Sequence, residues 1–231
     1  MKTITENDEA FLCDIQAPCF QLLTQEEMEL IRTSKTQVLF RKGDNLTKQG
    51  AFSSYILFIL TGLVRQFIEG TGSRNFNLRI MRPGEFVGLS SVFTNNTYSY
   101  SAIAITSCQA YLVEKAAITD IIRNNGMFGF DIIKRYIEQN VNLYGTIHNL
   151  VYKQMNGRLA DALLSLNSDN EQQENVFSLL SRKDLADFVG ISMESVVKML
   201  KSYEKEGILA LNEKDIVILN EKALHEISKR G

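Results

Sequence analysis

A run of charged and hydroxyl side chains near the carboxyl end of the chain has the types and spacing needed to read DNA. Glu194, Lys198 and Lys201 follow one another at intervals of four and three residues, so a helix carries all three on one face. A glutamate carboxylate accepts from the amino group of cytosine, and a lysine ammonium donates to guanine or to a phosphate. An ordinary surface ion pair between Glu194 and Lys198 is the alternative interpretation.

Two short helices that meet at a glycine are predicted to position this face. Ser181 is a suitable N-cap for the first helix, Gly190 supplies the left-handed residue that ends it, and Ser192 caps the second helix. The apolar residues predicted to face inward are Leu185, Ala186, Val189, Val196, Met199, Leu200 and Tyr203. This assignment leaves an outer face on the second helix that consists of Met193, Glu194, Val197, Lys198 and Lys201.

A β-hairpin is predicted directly after the second helix. Two apolar runs, residues 208–211 and 216–219, flank the polar turn 212–215. A helix-turn-helix followed by a hairpin is a winged helix, and the second helix of such a motif enters the major groove of DNA.

Composition limits how the chain can bind DNA and where it is expected to act. The 231 residues allow two modest domains, and the formal net charge of −2 argues against a broadly basic protein that coats nucleic acid. No apolar run approaches the roughly 20 residues needed to cross a bilayer. Three cysteines are an odd set that suits a reducing compartment. These features predict a cytoplasmic protein with free thiols and no membrane partner.

Residues 37–113 predict an antiparallel β-roll. Short runs rich in β-branched and aromatic residues alternate with glycine-containing turns such as Lys42-Gly43-Asp44 and Pro83-Gly84-Glu85. Before the roll, Thr24 and Glu27 form a capping-box pattern that predicts a short helix to about Arg32.

Beyond Lys115 the spacing of apolar residues changes from about two to about 3.6, which predicts a long helix. Apolar residues and one histidine recur at helical spacing: Phe130, Ile133, Ile137, Val141, Tyr144, His148, Val151 and Met155. A helix of this length without internal caps favours coiled-coil pairing with a second copy, and packing against its own roll is the alternative. A shorter helix is predicted from about Gly157 to Leu166, and residues 167–175 are predicted to be a polar loop. The predicted domains are therefore 1–126, 127–156 and 157–231.

The sequence resembles the Crp/Fnr superfamily of regulators over nearly the whole chain. The string from Leu185 to Val196, LADFVGISMESV, is similar to the DNA-binding signature of that family. The resemblance implies an α+β fold with an N-terminal antiparallel β-roll like the cyclic-nucleotide-binding jelly roll, a long dimerisation helix and a C-terminal winged helix-turn-helix. It also implies a homodimeric transcription regulator that binds a palindromic site on double-stranded DNA and acts on RNA polymerase. An unidentified small-molecule effector at the interface of the roll and the long helix is expected to control it.

The resemblance also assigns roles in the DNA interface. Besides the outer face of the second helix, the predicted DNA interface includes four residues near the starts of the two helices: Ser181, Arg182, Ser192 and Ser195. The last three match phosphate-contacting positions, and Glu194 matches the base-reading glutamate. Lys198 stands where an arginine is common, which keeps the charge but loses the bidentate fork. Met193 stands where the cyclic-AMP-responsive branch has arginine, which implies a different half-site.

The ligand positions of the family are changed in the roll. Residues 83–90 resemble the phosphate-binding cassette in outline, but Leu89 replaces the ribose-binding glutamate and Tyr100-Ser101 replace the phosphate-binding Arg-Ser pair. A buried phosphate without its arginine is costly, so no tight cyclic-AMP binding is expected. Arg79 and Arg82 could recognise another anion, or they are solvated surface arginines. The candidate effector residues are Arg79, Arg82, Gly88, Leu89, Tyr100, Ser101, Tyr144 and His148.

Metal and cofactor chemistry finds little support in the sequence. The iron-sulfur branch needs four thiolates, whereas Cys13, Cys19 and Cys108 are the only cysteines and Val113 occupies the internal ligand position. These residues are interpreted as incidental thiols, and no metal site is predicted. His148 is a candidate haem ligand by analogy with haem-binding relatives, with a packed interface histidine as the alternative.

Two other classes of function are alternatives to a DNA-binding regulator. An enzyme is not expected, because the sequence holds no phosphate-binding loop or nucleophile motif and only two histidines. The other class is a ligand-binding module that regulates a protein partner without DNA, and the winged helix argues against it.

Overall fold

The chain forms two compact units in a computed structural model that describes residues 1–5, 8, 19–72, 74–94, 96–168, 175–213 and 215–231. The first unit comprises Met1–Glu69 and Arg79–Asn140, and the second comprises Gly70–Leu78 and Val141–Gly231. Most strands belong to the first unit and most helices to the second. The predicted α+β fold class is confirmed.

Short antiparallel strands build the first unit. They are β1 (Lys2–Ile4), β2 (Lys35–Phe40), β3 (Asn45–Thr47), β4 (Tyr55–Thr61), β5 (Val64–Glu69), β6 (Asn75–Met81), β7 (Phe86–Val87), β8 (Ser101–Ala104) and β9 (Cys108–Glu114). The sheet orders are β1-β2-β9-β4-β7 and β3-β8-β5-β6. The β-roll predicted for residues 37–113 is confirmed, and β1, which the sequence did not predict, extends it by pairing with β2.

Two apolar clusters stabilise the roll. One cluster, which includes Val38, Phe40 and Met81, contains only residues of the strands. The other joins the roll to helices and contains Phe20, Phe58 and Phe86, whose ring centroids lie 4.9 to 5.9 Å apart. Edge-to-face packing at such distances adds to the free energy gained by burial of the rings.

Three helices follow from the predicted capping and periodicity. They are α1 (Gln25–Thr33), α2 (Lys115–Asn124) and α3 (Gly126–Tyr152). The capping box at Thr24 is present, which confirms the predicted start of α1. The long helix ends at Tyr152 rather than at residue 156, so its predicted length was wrong. The chain leaves the helix at Lys153, whose Nζ lies 2.6 Å from Asp161 Oδ2 and 3.0 Å from Ser228 Oγ.

The second unit contains a winged helix-turn-helix. Its elements after α3 are α4 (Met155–Ser168), α5 (Val176–Leu179), α6 (Arg182–Val189), α7 (Met193–Lys205), β10 (Leu209–Asn212), β11 (Asp215–Ile218) and α8 (Glu221–Arg230). The predicted helix at 157–166 lies within α4, and Met155 begins that helix instead of ending the long one. The sequence did not predict α5 and α8. Residues 169–174 of the predicted polar loop lie outside the described residues.

Asn125 is expected to be important for stability, because its side chain makes three hydrogen bonds at the start of α3. Its Nδ2 donates to Leu22 O at 3.0 Å and to Glu27 Oε2 at 2.8 Å, and its Oδ1 accepts from Phe128 N at 3.0 Å. We expect Asn125→Ala to lower the free energy of unfolding by about 2 kcal/mol, measured by denaturant titration.

Asn124→Ala is the matched control for this prediction. The Asn124 side chain is exposed and, among the described residues, bonds only to Asp120 within its own helix, so the change is expected to cost less than about 0.5 kcal/mol. Equal losses from the two substitutions would contradict the role given to Asn125.

Candidate nucleic-acid interface

The first helix of the motif begins and ends at the residues that the sequence predicted. Ser181 Oγ accepts from Asp184 N at 3.1 Å, and the Asp184 carboxylate accepts from Ser181 N at 2.8 Å, which completes a capping box. Gly190 is the left-handed C-cap with a φ of 70°, and its N–H donates to Ala186 O at 2.8 Å. The glycine therefore ends α6 and redirects the chain towards α7.

The second helix is oriented by its cap and its buried face. Ser192 Oγ accepts from Ser195 N at 3.2 Å, which confirms the predicted N-cap. Val196, Leu200 and Tyr203 are buried, and Met199 is only half-buried, although the sequence predicted it as a core residue. Glu194, Lys198 and Lys201 lie on the opposite side of the helix, whereas Met193 and Val197 lie between the two faces.

The charged side chains of that outer face form no ion pairs among the described residues. Met193, Glu194, Lys198 and Lys201 are exposed and Val197 is half-buried. Hydrogen bonds from its own backbone N–H and from the Ser192 side chain lower the pKa of Glu194, so the carboxylate is ionised at neutral pH. Among the described residues Glu194 and Lys198 form no ion pair with each other. Both side chains are available to a ligand.

Arg182 connects the start of α6 to the wing. β10 and β11 pair antiparallel and confirm the predicted hairpin, whose turn contains Glu213 with a φ of 53°. Arg182 Nη2 donates to Glu213 O at 3.3 Å, and burial lowers the pKa of the guanidinium. Its Nη1 is buried and has no hydrogen-bond partner within the described ranges. Arg182 is thus held beside the wing, with one donor group unused.

The remaining predicted DNA-contacting residues are the hydroxyl side chains of the caps. Ser181 and Ser192 are exposed, and Ser195 is half-buried with its Oγ 3.1 Å from Ser192 Oγ. The structure brings these three serines, Arg182 and the outer face of α7 together in the second unit.

Sequence reasoning missed a contribution from the hairpin formed by β5 and β6. Asn77 Nδ2 donates to Asp184 O at 2.8 Å, across 107 positions of sequence. Phe76 lies beside Gly190. Neither residue matches a DNA-binding pattern, and a contact over this separation leaves no periodicity or capping signal.

Six of the eight candidate effector residues lie in the first unit and bond chiefly to the chain itself. Gly88 N donates to Tyr100 Oη at 2.8 Å, and burial raises the pKa of Tyr100 to about 12. Arg79 pairs with Glu85 and donates to Gln66, and Arg82 N donates to Glu85 Oε1 at 3.0 Å. Leu89 and Ser101 are buried, and Ser101 Oγ bonds to Gln49 N and to Glu69.

The other two candidate effector residues lie on the half of α3 that belongs to the second unit. Tyr144 and His148 are both exposed, and the His148 ring centroid lies 5.0 Å from that of Tyr152.

A cyclic nucleotide does not fit these residues. The amide of Gly88 already donates to Tyr100 Oη, and Arg79 already pairs with Glu85. Leu89 offers no acceptor to a ribose hydroxyl. An incoming cyclic phosphate would have to displace these bonds, and Arg79, whose Nη2 alone has no partner among the described residues, is already paired with Glu85.

Two of the cysteines are buried thiols. Cys19 and Cys108 are free, and burial raises their pKa values to about 11 and about 12. Thiolates are the form that binds metals, so burial disfavours both residues as cluster ligands. Cys13 lies outside the described residues. The part of the chain that the structure describes holds no group of three or more His, Cys, Asp and Glu residues suited to a metal ion. Its helices include none with the length and hydropathy of a membrane span.

A roll of this topology together with a winged helix-turn-helix defines a class of DNA-binding transcription regulators. The family model for the cyclic nucleotide-binding domain matches residues 37–125, and the model for the Crp-like helix-turn-helix domain matches residues 157–227. The chain belongs to the Crp/Fnr superfamily of transcription regulators, a family that consists of regulators and not of enzymes.

Relatives and solved structures agree with this assignment. The chain is 23% identical to the anaerobic regulatory protein of Bacillus subtilis, with 87% of each protein covered. It is 24% identical to the cyclic AMP receptor protein of Thermus thermophilus, with 92% of this chain and 97% of that protein covered.

The fold resembles a Crp/Fnr-family transcriptional regulator from Eubacterium rectale with a TM-score of 0.77 at 17% identity, covering 92% of this chain and 98% of that one. It also resembles FixK2 from Bradyrhizobium japonicum with a TM-score of 0.74 at 21% identity, covering 84% and 96%.

Cyclic AMP is expected not to bind with micromolar affinity, because the chain's own groups occupy the bonding positions. Isothermal titration calorimetry of the full chain with cyclic AMP should show no saturable heat in that range. A dissociation constant in the micromolar range or below would contradict the interpretation of Tyr100 and Arg79.

Proposed function

We propose that the chain is a homodimer that binds a palindromic double-stranded DNA site through two copies of α7. The observation that carries the proposal is the outer face of α7, from Met193 to Lys201, whose charged groups form no ion pair within the described residues and whose position is fixed by caps at both helices. A recognition helix reads bases with residues near its amino end, where Met193 and Glu194 lie.

Direct reading of bases falls to Glu194 and Lys198. The Glu194 carboxylate accepts from a cytosine amino group, and the Lys198 ammonium donates to guanine or to phosphate. Ser181, Arg182, Ser192, Ser195 and Lys201 fix the register through the backbone, since phosphate contacts position a protein and base contacts specify the sequence. Met193 and Val197 supply apolar contact, for which the thymine methyl group is the natural partner.

The apolar stripe of α3 supports the homodimer. The members of the stripe with their exposed fractions are Phe130 71%, Ile133 54%, Ile137 56%, Val141 59%, Tyr144 66% and Val151 65%. A single chain thus leaves large apolar side chains in water along most of a 27-residue helix. A second copy of the same helix covers them by the knobs-into-holes packing of a coiled coil. Two recognition helices about 34 Å apart then reach successive major grooves.

The sensor part of the proposal concerns the β-roll. An unidentified small-molecule effector acts where the roll and the long helix meet, with Arg79, Arg82, Tyr100, Tyr144 and His148 among the candidate contacts. An anionic effector is consistent with the two arginines. The functional division is a sensor at 1–126, a dimerisation segment at 127–156 whose helix ends at Tyr152, and a DNA-binding domain at 157–231. RNA polymerase is the expected protein partner, as for the family.

Specificity is expected to depend on Glu194 and general affinity on Lys201. A site selected by the wild-type chain from random DNA, and a scrambled duplex, serve as probes. Glu194→Ala should relax selection at one base pair of each half-site, which is worth about 1–3 kcal/mol of discrimination. Lys201→Ala should weaken binding to both duplexes alike and reduce the slope of log affinity against log salt by about one. Fluorescence anisotropy at several salt concentrations measures both effects.

Lys222→Ala is the control for loss of positive charge. Lys222 is an exposed lysine on α8, a different helix from α7, and its removal should leave both affinities unchanged. Identical effects of Glu194→Ala and Lys201→Ala on the two duplexes would contradict the division of roles.

The dimer is expected to dissociate when the stripe is charged. Ile137→Glu places two carboxylates against each other in the proposed coiled coil, and because Ile137 is 56% exposed in the single chain, its own fold should be unaffected. Sedimentation velocity should then show a monomer in which far-ultraviolet circular dichroism is unchanged.

Gln139→Glu is the matched control for the added charge. Gln139 is exposed and lies off the stripe on the same helix, so this variant should stay dimeric. A dimer that survives Ile137→Glu, or a wild-type chain that sediments as a monomer, would contradict the homodimer.

A further inference from the structure

The tip of the β5–β6 hairpin belongs to the same compact unit as the helix-turn-helix. Residues Gly70–Leu78 form that unit together with Val141–Gly231, although the rest of β6 lies in the first unit. Two neighbouring residues of the tip contact the two ends of α6. We infer that Asn77 and Phe76 are positioning residues for DNA recognition, because they hold α6 and the turn that leads into α7.

Asn77 acts at the first turn of α6. Its Nδ2 donates to Asp184 O at 2.8 Å, and the residue is only 1% exposed. Asp184 is also the residue whose carboxylate completes the capping box with Ser181. The asparagine therefore fixes the backbone at the point where the helix start is defined, next to the phosphate-contacting position Arg182.

Phe76 acts at the other end of the same helix. A methyl group placed on Gly190 would lie 3.5 Å from Phe76 Cε2 and 3.3 Å from Leu150 Cδ2. The ring thus packs closely beside the left-handed residue that separates α6 from the cap of α7. Six residues of an α-helix span about 9 Å, so contacts at Asp184 and at Gly190 together limit both the shift and the tilt of α6.

Stability alone does not explain an asparagine at this position. Asn77 Oδ1 is buried and has no hydrogen-bond partner in the described part of the chain. A buried unpaired polar oxygen is unfavourable, and an apolar side chain of similar size removes that cost. The Asp184 carbonyl keeps its place in the α6 hydrogen-bond pattern without Asn77. A buried polar residue whose oxygen is unpaired and whose nitrogen bonds to the helix-turn-helix points to a role in function.

The test compares Asn77→Leu with Asn77→Asp in the full chain. Leucine removes the donor and the unpaired oxygen, and aspartate keeps the shape but sets a carboxylate oxygen against the Asp184 carbonyl. The probes are a duplex selected by the wild-type chain from random DNA and a duplex of scrambled sequence. Asn77→Leu should reduce the ratio of the two affinities about fivefold while the melting temperature stays within about 3 °C of the wild type. Asn77→Asp should reduce the ratio further.

Asn75→Leu serves as the matched control. Asn75 is half-buried on the same strand, two residues away, and within the described residues it makes no hydrogen bond to the helix-turn-helix, so its replacement should leave the ratio unchanged. Hydrogen exchange gives a readout independent of DNA: the amides of Gly190 and Ile191, which bond to Ala186 O, should exchange faster in Asn77→Leu and not in Asn75→Leu.

The inference rests on the sequence-specific binding proposed above, and the outcomes separate the two. A wild-type chain that does not distinguish the duplexes contradicts the proposed function. A wild-type chain that does, with an unchanged ratio and unchanged exchange in Asn77→Leu and Asn77→Asp, overturns the positioning role. A fall in affinity for both duplexes that follows a fall in melting temperature also overturns it, because it would assign Asn77 to general stability.

Discussion

The left-handed backbone at Gly190 is the constraint on which the DNA-binding motif depends. α6 ends there and Ser192 caps α7 two residues later, so the angle between the helices is set within a few bonds. An L-residue in this conformation is unfavourable by about 1–2 kcal/mol, and Leu150 and Phe76 leave little room for a side chain. The buried face of α7 then points to the core, and its charged face is left for a ligand.

Local signals made much of this unit predictable from sequence. Caps such as Ser181 and Ser192, a glycine stop and an apolar period of 3.6 act within a few residues, so they define α6 and α7 without knowledge of tertiary contacts. The strands of the roll and the wing followed in the same way from short apolar runs and the turn residues between them. Roles in phosphate and base recognition came from the family resemblance, since physics alone marks Glu194 and Lys198 as exposed charges.

The features that sequence did not predict depend on distant partners. Strand β1 is three residues long and is stabilised by pairing with β2, about 35 positions further along the chain. The end of α3 at Tyr152 coincides with the Lys153 contacts to Asp161 and Ser228, which no helical period records. Asn77 is the clearest case, because an isolated asparagine in a strand carries no sign of the carbonyl it will bond.

Because the apolar stripe of α3 is uncovered in a single chain, the stability of the proposed dimer depends on the concentration of the chain in the cell. Association that buries apolar surface stabilises the folded protein more at higher protomer concentration, by mass action. A cell that makes fewer copies would therefore lose folded regulator as well as occupied sites. In a newly synthesised monomer the same stripe is exposed apolar surface that can bind other apolar surfaces non-specifically. Rapid formation of the proposed dimer would bury the stripe and reduce such aggregation.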